Sequence, residues 1–217
     1  MPVYESAMKL WNDRKVISKS AHWKASGHWK RIIPTVRKRW VQMKGRNAPE
    51  RIVQTMVEYG SGGGAVASAL APFFTRIYGI DISELSLEEA TKQLKAETFF
   101  VPVLIDIENP ESALRIGPQD VFISTAVFQH LPSRDYARRV LLLGRRLVRD
   151  DGLALIQFRT GYSSAPKGNY KRRYAKWNCQ SHKEFDEDAR MAGWWVAEMS
   201  PEHPTRSGYT WAFMRAL

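Results

Sequence analysis

The chain has 217 residues, enough for one core of ordinary size and short for two independent domains. Apolar residues make up 44% and aromatic residues 12%, with eight Trp, which excludes a disordered chain. The net charge is +11 and there is one cysteine, Cys179, so an internal disulfide and a cysteine-based zinc framework are both excluded, and a reducing cytoplasm is the expected location.

The start, Met1-Pro2-Val3-Tyr4-Glu5, is not a charged leader followed by an apolar stretch, and no run of about 18 apolar residues occurs, so neither secretion nor a membrane span is expected. Residues 1–48 carry Trp11, Trp23, Trp29 and Trp40 among charges at mostly helical spacing, with too few aliphatic residues for a separate core. They are expected to form an amino-terminal helical cap. Pro49 biases the preceding residue away from helix and marks the boundary to a body over 49–217.

The body alternates between short apolar runs and amphipathic stretches. Strands are predicted at 52–57, 76–80, 99–105, 120–124 and 153–158, and helices at 65–71, 83–94, 133–149 and 182–193. Strands at 194–199 and 208–217 close the chain. Near-continuous apolar strands separated by helices describe an α/β fold, an open parallel sheet with helices on both faces. The positive charge is concentrated in two segments. Residues 1–51 hold 13 Lys and Arg against 3 acids, and residues 160–183 hold 6 against none. The polar insertion at 160–181 mixes Lys and Arg with Tyr and Trp, a combination suited to anions and stacked rings; a solvated charged surface explains the same pattern.

Chemistry is concentrated between the first strand and the first body helix, in Glu58-Tyr59-Gly60-Ser61-Gly62-Gly63-Gly64. Glycines in such a turn permit positive φ and close approach of a ligand to the backbone. Asp81 ends the second strand about 20 residues on, where a carboxylate can accept hydrogen bonds from both ribose hydroxyls of an adenosine ligand. Spacing alone leaves NAD open, since from Gly60 the third glycine position of the dinucleotide pattern falls on Ala65, which that pattern tolerates.

Glu58 two residues before Gly60 makes the segment resemble motif I of the class I S-adenosylmethionine (SAM)-dependent methyltransferases, acid-x-Gly-x-Gly-x-Gly. The likeness continues through Gly79-Ile80-Asp81-Ile82-Ser83, Asp106-Ile107, the fourth-strand segment from Asp120 to Leu131, and Leu147 to Leu155, covering roughly residues 50–160. It implies a Rossmann-like, seven-stranded, mostly parallel sheet whose last strand is antiparallel. It implies SAM as cofactor, with Glu58 aimed at the methionine amino group, Asp81 on the ribose and Asp106 and Ile107 near the adenine; Gly60, Ser61, Gly62, Gly64, Ile82 and Thr125 complete the cofactor set. No metal is required.

His130, after the fourth strand, is the candidate base, because a histidine suits proton removal near neutral pH. Tyr170, Arg172 and Arg173 of the insertion are the candidate acceptor contacts. A small molecule or saccharide, possibly anionic and methylated on oxygen, ranks first as acceptor because the cap is short and no RNA-binding module is recognisable. An RNA-modifying methyltransferase, an NAD-dependent oxidoreductase and a SAM-binding protein without catalysis are the alternatives.

Overall fold

A computed structural model describes residues 3–13, 34–42, 55–94, 99–160, 178–201 and 208–217. Its strands are β1 (Thr55–Tyr59), β2 (Arg76–Asp81), β3 (Phe99–Leu104), β4 (Gln119–Ser124), β5 (Val148–Arg159), β6 (Trp194–Pro201) and β7 (Tyr209–Ala216). They belong to one seven-stranded sheet of order β3-β2-β1-β4-β5-β7-β6. The chain divides into two compact units, Met8–Ile116 and Met1–Ala7 with Gly117–Leu217.

In the Met8–Ile116 unit, β1 pairs with β2 and β2 with β3, both parallel. Helices Ala65–Leu70 and Glu84–Leu94 link the strands, as parallel pairs require of their crossovers. All six residues of Ala65–Leu70 are buried, in keeping with a sequence of small and apolar side chains. The helix over 34–42 is fastened to this layer: Trp40 is fully buried against Phe74, ring centroids 4.9 Å apart, and Arg37 Nε donates to the Ala69 carbonyl at 2.7 Å. The rest of the expected 1–48 cap is described only over Val3–Trp11 and the two residues after it.

In the other unit β4 runs parallel to β5, while β7 is antiparallel to both β5 and β6. Every residue of β4 is buried. Helix Arg134–Arg146 begins at Ser133, whose hydroxyl accepts from Tyr136 N, and helix His182–Met191 begins in a complete capping box between Ser181 and Glu184. The last helix ends two residues before its expected limit, because Gly193 adopts φ 87° and turns the chain into β6.

Three boundaries differ from expectation in informative ways. β1 continues through Glu58 and Tyr59, so Glu58 is a strand residue, while 52–54 lie outside the described residues. Helix Arg134–Arg146 stops three residues early. Finally, Asp150-Asp151-Gly152 does not precede β5 but lies inside it: Gln119 opposes Val148 and Val121 opposes Leu153, so four residues stand opposite Asp120 alone and three of them are extra, forming a bulge. Buried Asp120 pairs with Arg149 at the base of that bulge, which gives its charge a partner.

No helix among the described residues is long and apolar enough to cross a membrane. Likewise, among the described residues no group of His, Cys, Asp or Glu is placed to hold a metal.

Candidate cofactor site and the turn after β4

The glycine-rich turn is tied to β2 by its own backbone. Gly60 N and Ser61 N both donate to the Ile80 carbonyl, at 2.8 and 3.0 Å, and Gly62 N donates to Asp81 Oδ2 at 2.8 Å. Gly60, Gly62 and Gly64 have φ of 73°, 50° and 80°, values that β-carbon-bearing residues adopt only at a cost. A Cβ on Gly64 would lie 2.9 Å from Ala90 Cβ, so this glycine also lets helix Glu84–Leu94 pack closely. The amides of Gly60, Ser61 and Gly62 are therefore committed inside the protein, and what these glycines supply is conformation and room.

Asp81, half-buried, uses its second oxygen to accept from Ser83 N at 2.9 Å. Each carboxylate oxygen keeps a lone pair for a further donor. Glu58 is 2% exposed and its Oε2 has no hydrogen-bond partner among the described residues; Ser61 Oγ is in the same position. Burial first, and then the neighbouring Asp81 charge, hold the Glu58 carboxyl well above the usual carboxylate range, against a hydrogen bond from the Ala67 backbone. Burial raises Asp81 as well, opposed by the backbone N–H groups of Gly62, Ser83 and Ile82. Two crowded carboxyls with an orphaned oxygen form a site that would be stabilised by a cation.

Beyond β3, Ile105 N donates to the Asp81 carbonyl at 3.1 Å, which brings the end of that strand beside the ribose candidate. Ile107 is buried, as an adenine contact requires of an apolar wall. Asp106 is exposed and its Oδ1 accepts from Glu108 N at 2.9 Å, the geometry of a local turn. Ile82 is half-buried next to Asp81.

After β4, Thr125 is buried with no partner for its hydroxyl among the described residues. Ala126 has φ 58°, the one non-glycine residue among those described in this strained region, and its N–H is held by Gln157 Oε1 at 3.0 Å. His130 ends the short 3-10 turn Phe128–His130 and lies half-buried, its Nε2 3.1 Å from the amide nitrogen of Gln129.

Residues 57–154 match the family described as a methyltransferase domain.

Solved structures agree on the fold. Magnesium protoporphyrin IX methyltransferase from Synechocystis PCC 6803, solved with bound SAM, is 16% identical, with 100% of this chain and 98% of that one covered and a TM-score of 0.69. A complex of the protein DhpI with SAH is 18% identical over 99% and 97% of the two chains, with a TM-score of 0.71. The CurJ carbon methyltransferase is 18% identical over 88% and 56%, with a TM-score of 0.66. No curated protein matches the sequence.

Two of these neighbours were solved with bound SAM or SAH, and the residues present in this chain fit such a ligand. The orphaned Glu58 Oε2 suits the methionine ammonium, and Asp81 has acceptor capacity for ribose hydroxyls. Glu58, Gly60, Ser61, Gly62, Gly64 and Asp81 lie within the Met8–Ile116 unit, whereas Thr125 and His130 belong to the other unit. Tyr170, Arg172 and Arg173 lie outside the described residues.

Sequence reading missed three residues near His130: Gln157, Gln129 and Asn178. A buried Gln or Asn within or beside an apolar strand leaves no motif, and only the backbone groups it meets reveal its use.

Proposed function

We propose that this domain transfers the methyl group of SAM to an oxygen of a small-molecule or saccharide acceptor, in the cytoplasm, with the 1–48 segment and the 160–181 insertion as its acceptor-side additions. The observation that carries the cofactor half is the buried, unpartnered Glu58 Oε2 beside Asp81. Bound SAM supplies a sulfonium methyl group open to in-line displacement.

Glu58 would hold the ammonium and Asp81 the ribose hydroxyls, while the glycine turn keeps side chains out of the cofactor's way. An acceptor oxygen forms the new bond to the methyl carbon as the carbon–sulfur bond breaks and its electron pair stays on sulfur. His130 takes the acceptor proton. Positioning accounts for most of the rate in such a displacement, and general-base assistance adds about 10²–10⁴-fold. Tyr170, Arg172 and Arg173 would receive an anionic acceptor.

Calorimetry with SAM and NAD side by side, followed by a panel of hydroxylated small molecules and saccharides assayed for S-adenosylhomocysteine release, tests the reading. SAM should bind, NAD should not, and a hydroxylated acceptor should turn over. Preference for NAD, or methylation only of RNA, would overturn it. The RNA reading draws on the basic stretch over 1–51, with 13 Lys and Arg against 3 acids. Binding that survives added salt beyond weak background would favour it over simple charge attraction. For the base, His130→Ala should lower turnover by about 10²-fold or more with SAM binding intact; a folded variant with normal turnover excludes His130 from that role.

A further inference from the structure

The short turn that carries His130 is held by a segment about 50 residues further along the chain. Asn178, 7% exposed, donates from its side-chain Nδ2 to the Phe128 carbonyl at 3.1 Å and from its backbone N to the Gln129 carbonyl at 3.0 Å. Two consecutive carbonyls immediately before His130 are thus fixed by one residue.

A second tie joins the same two stretches of chain, through Gln180 on one side and Arg134 on the other. Gln180 is 2% exposed; its backbone N donates to the Arg159 carbonyl at 3.0 Å and its side-chain Nε2 to Asp188 Oδ2 at 2.7 Å. Arg134, just past the turn, grips the same Asp188 with Nε and Nη2 at 2.7 and 2.9 Å, and Arg138 Nε adds a bond to Oδ1 at 2.8 Å. The Asp188 carboxylate is wholly buried and takes four donors, so it is fully satisfied and its geometry is tightly defined. Chain 128–134 and chain 178–180 are therefore cross-linked twice, by a neutral amide at one end and through an ionic hub at the other.

We infer that Asn178, backed by the Gln180–Asp188 anchor, is a positioning residue for His130, so that the segment closing the basic insertion also sets where the candidate base stands. A helix or strand was not available to do this: the turn Phe128–His130 is only three residues long, and Ala126 just before it sits at a strained φ of 58°. Within the turn the Phe128 carbonyl accepts only a long bond from Leu131 N at 3.3 Å, so Asn178 supplies the shorter bond to it and the bond to Gln129 from outside the turn.

The positioning role rests on the proposed use of His130, yet the two fail separately. Asn178→Asp and Asn178→Leu keep the approximate volume but remove the side-chain donor, and the backbone bond to Gln129 remains possible in both. In the full-length protein, nitrogen-detected NMR of the imidazoles should show His130 shifted or broadened in both variants, while the His182 signals and the SAH dissociation constant stay within twofold of the parent. With the acceptor found in the panel, kcat should fall about tenfold or more and the KM for SAM should hold. Asn178→Ser, which keeps a hydroxyl too short to reach the Phe128 carbonyl, should behave alike and serves if the larger changes prevent folding. Unaltered His130 signals in a folded variant overturn the positioning role. Normal turnover by His130→Ala overturns the base role instead and leaves the NMR result standing on its own.

Discussion

The glycine turn after β1 and the histidine turn after β4 both sit at strand ends, but they are held by opposite means. Around the first, the contacts run between neighbours in one βα unit: Gly60, Ser61 and Gly62 donate to Ile80 and Asp81, and Asp81 takes Ser83 N in return. Around the second, Asn178 reaches back 50 residues to Phe128 and Gln157 reaches back 31 residues to Ala126. The first turn is held by its own backbone N–H groups, which meet the Ile80 carbonyl and the Asp81 carboxylate nearby. The second is a side-chain device that exists only when distant elements have docked.

Perturbations of the two turns should separate them. The largest effect is expected from Gly64→Val, because a β-branched residue is forced to φ 80° with its Cβ 2.9 Å from Ala90 Cβ. Thermal unfolding should show a loss of about 2–4 kcal/mol, and SAM binding should disappear with it. A parent-like Tm would mean that the turn is not conformationally constrained. Asp81→Ala removes the acceptor of both Gly62 N and Ser83 N as well as the proposed ribose contact. Calorimetry should give a SAM affinity roughly 10–100-fold weaker, since hydrogen bonds to a charged group contribute about 1.5–3 kcal/mol.

Glu58 offers a pH test whose sign is fixed. Burial raises its carboxyl in the folded protein well above the ordinary carboxylate range, so without ligand its contribution to stability is complete below that range and is lost as pH rises through the raised value. A bound ammonium favours the ionised form. SAH affinity should therefore increase with pH across the Glu58 titration, with proton release measurable in buffers of different ionisation enthalpy. Glu58→Gln should flatten that dependence and weaken binding about tenfold at neutral pH; a slope that survives the substitution removes Glu58 from the ammonium site. The smallest effect is expected on the other turn, where Ala126→Gly relieves a φ of 58° and should stabilise the protein by up to about 1 kcal/mol in denaturant unfolding. A destabilised Ala126→Gly would show that the hydrogen bond to Gln157 needs the stiffer residue.

What the sequence by itself determined is the βα alternation and the glycine turn with Glu58 and Asp81; the antiparallel close of the sheet is implied only by the resemblance of its motifs to a family. The first two depend on short-range rules: apolar runs for buried strands, glycine for positive φ, a carboxylate at a strand end about 20 residues on. Only the tertiary structure decided that Gly60, Ser61 and Gly62 direct their amides to β2, that Glu58 is buried with an orphaned oxygen, that Asp150-Asp151-Gly152 bulges out of β5, and that Asn178 and Asp188 brace the histidine turn. The reason is the range of the interactions. A backbone preference is written in the residue that has it, whereas a buried amide or carboxylate acquires its role from partners that folding brings within 3 Å across dozens of residues, and no local pattern encodes that meeting.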